Sequence, residues 1–295
     1  MSAVPGDVAA ATDAAPWRLA IVHETRFEYE GPASTSYNEA RLTPLTTARQ
    51  SVTDAMLEIT PRPAVVHRYW DYWGTLVSAF DLSEPHSVLE VVSRSTVETN
   101  AALDPPDGVD WDELTSSARS DAYAELLAVT PRTEVDADVV AALAADVRDV
   151  RPARAARLVA DRVRENLEYV PGSTEVLTGA QEAWNQRAGV CQDIAHLTIG
   201  VLRRVGIPAR YVSGYLHPDG DASVGQVSSG QSHAWVEWWC GGWWGYDPTN
   251  RAPAGHGHVI VGRGREYTDV PPLKGVYSGP PSTHVDVGVS VTRLA

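Results

Sequence analysis

The sequence predicts an α+β fold, with helices packed on an antiparallel sheet and an antiparallel β-domain in front of them. Three changes of pattern carry this. From Trp17 to about Thr99 the runs are strand-like and apolar residues alternate with polar ones. Beyond Asp104-Pro105-Pro106-Asp107-Gly108 the apolar period becomes helical, and beyond Gly206-Ile207-Pro208 it returns to strands. Strands, then helices, then strands again is the order of an α+β protein rather than of alternating βα units.

Residues 1–16, rich in Ala and small polar residues, read as a loose tail. Residues 17–104 read as the N-terminal β-domain. Leu19, Ile21 and His23 alternate with Ala20, Val22 and Glu24, and Phe27 and Tyr29 extend the run. Met56-Leu57-Glu58-Ile59, Val65 to Phe80 and Val88 to Val97 are further strand candidates, punctuated by turns at Gly31-Pro32, Pro61, Pro63, Gly74 and Pro85. Residues 105–295 read as the core together with its C-terminal strands. Val139, Val140, Leu143, Val147 and Val150 fall on one helical face. Pro152 opens a second helix, striped by Leu158, Val159, Val163 and Leu167, because proline is tolerated in a first turn. A third helix follows Gly189, striped by Ile194, Leu197, Val201, Leu202 and Val205, and Gly206-Ile207-Pro208 stops it. Ala209 to Leu216, Ala234 to Trp239 and Trp243 to Tyr246 are strands, and the Gly- and Ser-rich stretch Asp219 to Gly230 reads as a mobile loop. Val285 to Val291 adds a late strand.

The chain has 295 residues, 43% apolar and 21% charged, enough for a core of ordinary size. A net charge of -14 makes nucleic acid and anionic membrane surfaces poor partners. Two cysteines, Cys191 and Cys240, make no disulfide framework and point to a reducing compartment. The start lacks the basic and apolar regions of a signal peptide, and no run is long and apolar enough to span a bilayer. The expected location is the cytoplasm.

Cys191 opens the third helix. Unpaired N–H groups and the positive end of the dipole at a helix start favour a thiolate, the nucleophilic form. Gly189 allows a tight turn and a close approach. A nucleophilic cysteine needs a base within reach. His196 lies about 140° around the helix from Cys191 and Asp193 about 200°, so neither is aimed at the sulfur. His233 is better placed, at the head of His233-Ala234-Trp235-Val236-Glu237-Trp238-Trp239. Cys240-Gly241-Gly242 is a turn signal, and Trp243 to Asp247 returns as the second strand of a hairpin. A turn centred on Cys240-Gly241 sets residue 233 against 248, one residue from Asp247. The carboxylate then holds the histidine in the right tautomer. The order Cys, His, Asp, with Cys opening a helix and the other two on a hairpin, fits a papain-type site.

Several stretches resemble the bacterial transglutaminase-like family. Gly189-Val190-Cys191-Gln192-Asp193-Ile194-Ala195-His196 is similar to its cysteine motif, and Gly206-Ile207-Pro208-Ala209-Arg210-Tyr211-Val212-Ser213-Gly214-Tyr215 to the segment after it. Ser232-His233-Ala234-Trp235-Val236-Glu237 resembles the histidine motif and Gly245-Tyr246-Asp247-Pro248-Thr249 the aspartate motif. His23-Glu24-Thr25-Arg26-Phe27 through Tyr37-Asn38-Glu39-Ala40-Arg41-Leu42 resembles the β-domain that precedes the core, and Gly264-Arg265-Glu266-Tyr267 with Asp269-Val270 the tail. The resemblance implies a transglutaminase-like catalytic core with Cys191, His233 and Asp247 as the triad, and an acyl-enzyme thioester formed at a peptide or glutamine amide. It implies a protein or peptide substrate. It leaves open whether an amine or water resolves the thioester, and whether the scaffold is an inactive binding module. The oxyanion would be held by the Cys191 N–H and a second donor, with Trp184, Gln186 and Gln192 as candidates. Tyr246 and Tyr267 are candidates for the substrate path and equally for packing residues.

No cofactor is expected, and no calcium loop of the EF-hand kind is present. His256-Gly257-His258 lacks further metal ligands at matching spacing. Trp235, Trp238, Trp239, Trp243 and Trp244 crowd one hairpin and read mainly as core. Cys240, in the turn, reads as a spectator.

Overall fold

The computed structural model describes residues 15–103, 108–230 and 232–295. The tail up to residue 14 and residues 104–107 of the predicted break lie outside them. The chain opens with six strands: β1 (Trp17–Ala33), β2 (Thr35–Ala40), β3 (Gln50–Thr60), β4 (Val66–Trp70), β5 (Leu76–Leu82) and β6 (His86–Thr99). Helices follow: α1 (Trp111–Leu114), α2 (Ser117–Ala122), α3 (Ala124–Leu127), α4 (Ala137–Leu143) and α5 (Pro152–Asn166). Next come β7 (Glu168–Tyr169), α6 (Ala180–Gln186), β8 (Ala188–Gly189) and α7 (Cys191–Arg204). The remainder is β9 (Ala209–Leu216), β10 (Val227–Gly230), β11 (His233–Trp239), β12 (Trp243–Asp247), β13 (Ala252–Pro253), β14 (His258–Gly264), β15 (Leu273–Ser278) and β16 (Ser282–Arg293). The predicted α+β class holds.

Two compact units form. One takes Asn100–Tyr211 with Trp235–Gly255; the other takes Trp17–Thr99, Val212–Ala234 and His256–Ala295. The division passes through β9 and β11.

The β-unit holds two antiparallel sheets, ordered β10-β16-β1-β6-β3 and β15-β2-β5-β4. Assigning every residue after 104 to the core is corrected here. β16 pairs with β1 from Leu19↔Arg293 to Phe27↔Val285, and β15 pairs with β2. The long apolar face of β1 needs a neighbour on both edges, and β6 supplies only one. Trp17, Leu19, Ile21, Val97, Tyr215, Val261 and Val291 share one buried cluster. The loop predicted at 219–230 is corrected at its end, where Val227 to Gly230 extends the sheet beside β16. The run 65–80 is a hairpin, β4 against β5, with the expected turn at Gly74, φ 78. His23 is 1% exposed, between the Tyr215 hydroxyl at 3.1 Å and the Thr25 hydroxyl at 3.1 Å. Burial lowers its pKa to about 4, because a charged ring there would lose its hydration.

In the helical unit α5 begins at Pro152 as predicted, with Ala155, Ala156, Val159, Ala160 and Val163 buried. The stripe Val139 to Val150 is shorter as a helix than its periodicity implied. α4 stops at Leu143, and Asp146 turns left-handed at φ 58. The Arg162 guanidinium donates to the Leu143 and Ala145 carbonyls at 3.2 and 2.6 Å, satisfying the helix end there, and Val147 is still buried. α7 is buried nearly all round from Asp193 to Arg203. A methyl group at Gly200 would stand 2.1 Å from the Thr133 carbonyl oxygen, so only glycine lets that segment cross the helix. At the end of α7 the buried Arg203 donates to the carbonyls of Ala209 and Ala128. Gly206 at φ 88 ends the helix as predicted.

Candidate active site

Cys191 is a free, half-buried thiol at the first position of α7. The helix start is fastened by Asp193. Its Oδ2 accepts the Val190 N–H at 2.8 Å and the Thr174 hydroxyl at 2.6 Å, although the side chain is 1% exposed. Burial raises the Asp193 pKa, outweighing those hydrogen bonds. Gly189 earns its place differently from the sequence reading: a Cβ there would lie 2.7 Å from Asp193 Cβ. The glycine makes room for the carboxylate that holds the turn before the thiol.

The β11–β12 hairpin registers Trp239↔Trp243, Trp238↔Trp244, Glu237↔Gly245 and Val236↔Tyr246. The loop is therefore Cys240-Gly241-Gly242, closed by Cys240 N–H donating to the Gly242 carbonyl at 3.1 Å, with Gly241 at φ 99. The predicted two-residue turn is off by one position. Carried one step further, the register sets Asp247 against Trp235. His233 precedes Trp235 by two residues on the same strand, so both belong to one face of the pleat. The observed register differs from the predicted one by one residue, which reverses the parity between the two strands.

Asp247 is fully buried. Its Oδ1 accepts the N–H groups of Thr249 and Asn250 at 2.9 and 3.2 Å, and its Oδ2 accepts the Asn250 side-chain amide at 2.7 Å. The residues after the strand thereby fix the carboxylate at its end. His233 is half-buried, and its ring lies 6.4 Å from that of His258 at the head of β14.

Sequence reasoning missed Tyr169. β7 and β8 pair in parallel with Tyr169 beside Gly189, and Val170 N–H donates to the Gly189 carbonyl at 3.0 Å. Burial raises the Tyr169 pKa, and the proximity of Cys191 and Asp247 raises it further. One phenol therefore senses both the thiol position and the aspartate. A two-residue strand shows no periodicity, so only its pairing reveals it.

The other predicted residues sit as follows. Gln192 donates its amide to the Val176 carbonyl at 2.8 Å, tying the loop before α6 to the start of α7. Gln186 is exposed and donates its amide to Glu182 on its own helix at 3.3 Å. Trp184 is buried, with the Arg187 guanidinium 3.5 Å above its ring. Tyr246 lies on the face of β12 opposite to Asp247, and its hydroxyl donates to Asp161 of α5 at 2.6 Å, which fits the packing alternative rather than the substrate path. Burial and that carboxylate push its pKa up. His196 packs against Tyr211, ring centroids 5.0 Å apart. Trp235, Trp238, Trp239 and Cys240 are core.

Residues 19–98 match the bacterial transglutaminase-like N-terminal region, and residues 141–248 match the transglutaminase-like superfamily. An uncharacterised protein of Mycobacterium leprae is 48% identical over 279 residues, covering 95% of this chain and 100% of the relative. Over 111 residues the chain is 36% identical to a protein of Pseudomonas aeruginosa named protein-glutamine gamma-glutamyltransferase, covering 33% of this chain and 16% of that one. The solved structure of a "Putative Cysteine Protease" from Cytophaga hutchinsonii superposes with a TM-score of 0.75 at 22% identity, covering 96% of this chain and 92% of that one. At that identity the likeness is one of fold.

Proposed function

The chain belongs to the bacterial transglutaminase-like family, and from that premise we propose that it is a thiol-dependent enzyme acting on a peptide or glutamine amide. Cys191 Sγ attacks the amide carbonyl carbon and forms a thioester as the C–N bond breaks. His233 takes the thiol proton and hands it to the leaving amine. Asp247 orients His233 and stabilises its protonated form. An amine or water then resolves the thioester; a primary amine acceptor gives transamidation, and water gives hydrolysis.

The observation that carries this reading is the free thiol of Cys191 at the first position of a helix. Tyr169, paired beside Gly189, supports it: burial raises its pKa first, and Cys191 and Asp247 raise it further. The name of the Pseudomonas relative favours glutamine as the amide and an amine as acceptor.

The test is the rate of Cys191 alkylation by iodoacetamide across pH, in the wild type and in His233→Ala. The expected result is fast labelling well below the pH of about 8.5 at which a free thiol ionises, lost in the variant. Slow labelling that rises only near that pH, the same in both proteins, overturns the catalytic reading and leaves an inactive binding module.

A further inference from the structure

Three large apolar side chains are exposed among the described residues of the helical unit: Tyr169 at 41%, Val176 at 56% and Leu177 at 57%. Scattered apolar residues on a surface need no explanation, but these are gathered at one place. All belong to the segment fastened to the start of α7, where Cys191 stands. Tyr169 pairs beside Gly189. The Thr174 hydroxyl donates to Asp193 Oδ2 at 2.6 Å, and the Gln192 amide donates to the Val176 carbonyl at 2.8 Å. The segment is therefore tied to residues on both sides of the thiol. Burial raises the Tyr169 pKa and the proximity of Cys191 raises it further, in keeping with a phenol near the sulfur.

Val176 and Leu177 form the tip of a tight turn. The Thr178 N–H donates to the Glu175 carbonyl at 3.0 Å, and the Glu175 N–H donates to the Thr178 hydroxyl at 3.0 Å. Gly, Pro, Asn, Asp and Ser favour such a tip, because they supply its dihedral angles or its local hydrogen bonds. Val and Leu supply neither, and here each leaves more than half of its surface in water. Ser173 braces the other end of the loop, its hydroxyl donating to the Val170 carbonyl at 2.8 Å. A loop held at both ends keeps its apolar tip outward, so covering the tip costs little further ordering.

We propose that Val176, Leu177 and Tyr169 form an apolar wall beside Cys191 that selects acyl donors with a bulky apolar group on the acyl side of the reacting carbonyl. The inference rests on the thiol reading above and names the substrate class of that site. The acyl side follows from the chemistry. As the carbonyl carbon bonds to Cys191 Sγ, the leaving amine departs with its proton, and the acyl part stays on the sulfur until amine or water releases it. The acyl part is thus the portion of the substrate that remains beside a loop tied to the residues flanking the thiol.

The experiment compares kcat/KM for p-nitrophenyl hexanoate and p-nitrophenyl acetate with the full chain, read as p-nitrophenolate release above the rate of Cys191→Ala. The longer apolar chain of the hexanoyl group is the probe of the wall. The expected preference for hexanoate is about tenfold or more in the wild type, and about twofold or less in Val176→Ser/Leu177→Ser. Val176→Ile/Leu177→Met, which keeps the tip apolar, should retain it. Both side chains are exposed, and an unchanged near-ultraviolet circular dichroism spectrum verifies that the variants are folded. Cys191-dependent release without a preference for hexanoate overturns the wall and leaves the thiol reading standing. So does a preference that the serine pair keeps, or one that the Ile/Met pair loses as fully as the serine pair. Absence of Cys191-dependent release from either ester overturns both.

Discussion

The start of α7 and the end of β12 each bury an aspartate beside a position of functional interest, and the two carboxylates are held in different ways. Asp193 reaches backwards. It accepts the Val190 N–H and the Thr174 hydroxyl, so it shapes the turn that presents Cys191. Asp247 is gripped from ahead, by the N–H groups of Thr249 and Asn250 and the Asn250 amide. The carboxylate nearer the thiol in sequence is a structural clamp, while the one more than fifty residues away shares its effect on Tyr169 with the thiol. Proximity along the chain is therefore a poor guide to partnership. What matters is which face of an element carries the group.

The sharpest way to break this contrast is at Asp247. Asp247→Asn should slow acylation of Cys191 by p-nitrophenyl acetate by a factor on the order of 10⁴, as expected for loss of the orienting carboxylate, while Asp193→Asn slows it far less. Release of p-nitrophenolate measures both, and equal rates in the two variants would erase the distinction.

Any pH profile of the site must be separated from acid loss of the fold, and His23 predicts how large that loss is. Its folded pKa is lowered from 6.5 to about 4. Between those values the unfolded chain takes up a proton that the folded chain refuses. The stabilisation is thus complete above about pH 6.5 and is lost as pH falls towards 4, on the order of 3 kcal/mol in all. Urea midpoints for the wild type and His23→Gln measure it, and an equally steep acid decline in both would remove His23 as the cause.

The smallest expected effect tests the clamp. Gly189→Ala places a methyl group 2.7 Å from Asp193 Cβ, and the overpacking should cost about 1–3 kcal/mol. An unchanged urea midpoint would mean that Asp193 moves aside freely and does not fix the turn.

Much of the candidate site is legible in the sequence because its signals are local. Cys191 opens α7 and Gly206 closes it, both where caps and glycine predict. The hairpin is read from Cys240-Gly241-Gly242, but its register is missed by one residue, since a glycine pair does not say whether the loop holds two residues or three. Of the two roles open to Tyr246 in the sequence, substrate path or packing, the pleat favours packing, on the face opposite to Asp247. Tyr169 gave no signal, since two residues of strand have no period.

The sequence by itself determined the succession of strands and helices, the helix that presents Cys191 and the hairpin that carries His233 and Asp247. These depend on capping, periodicity and turn chemistry within a few residues. Only the tertiary structure decided that β16 lies along β1, that Tyr169 sits beside Gly189, and that the exposed Val176-Leu177 turn is tied to the start of α7. Those facts join residues far apart in the chain. Their cause is the burial of whole apolar faces and the pairing of strand edges, which no local window of sequence contains.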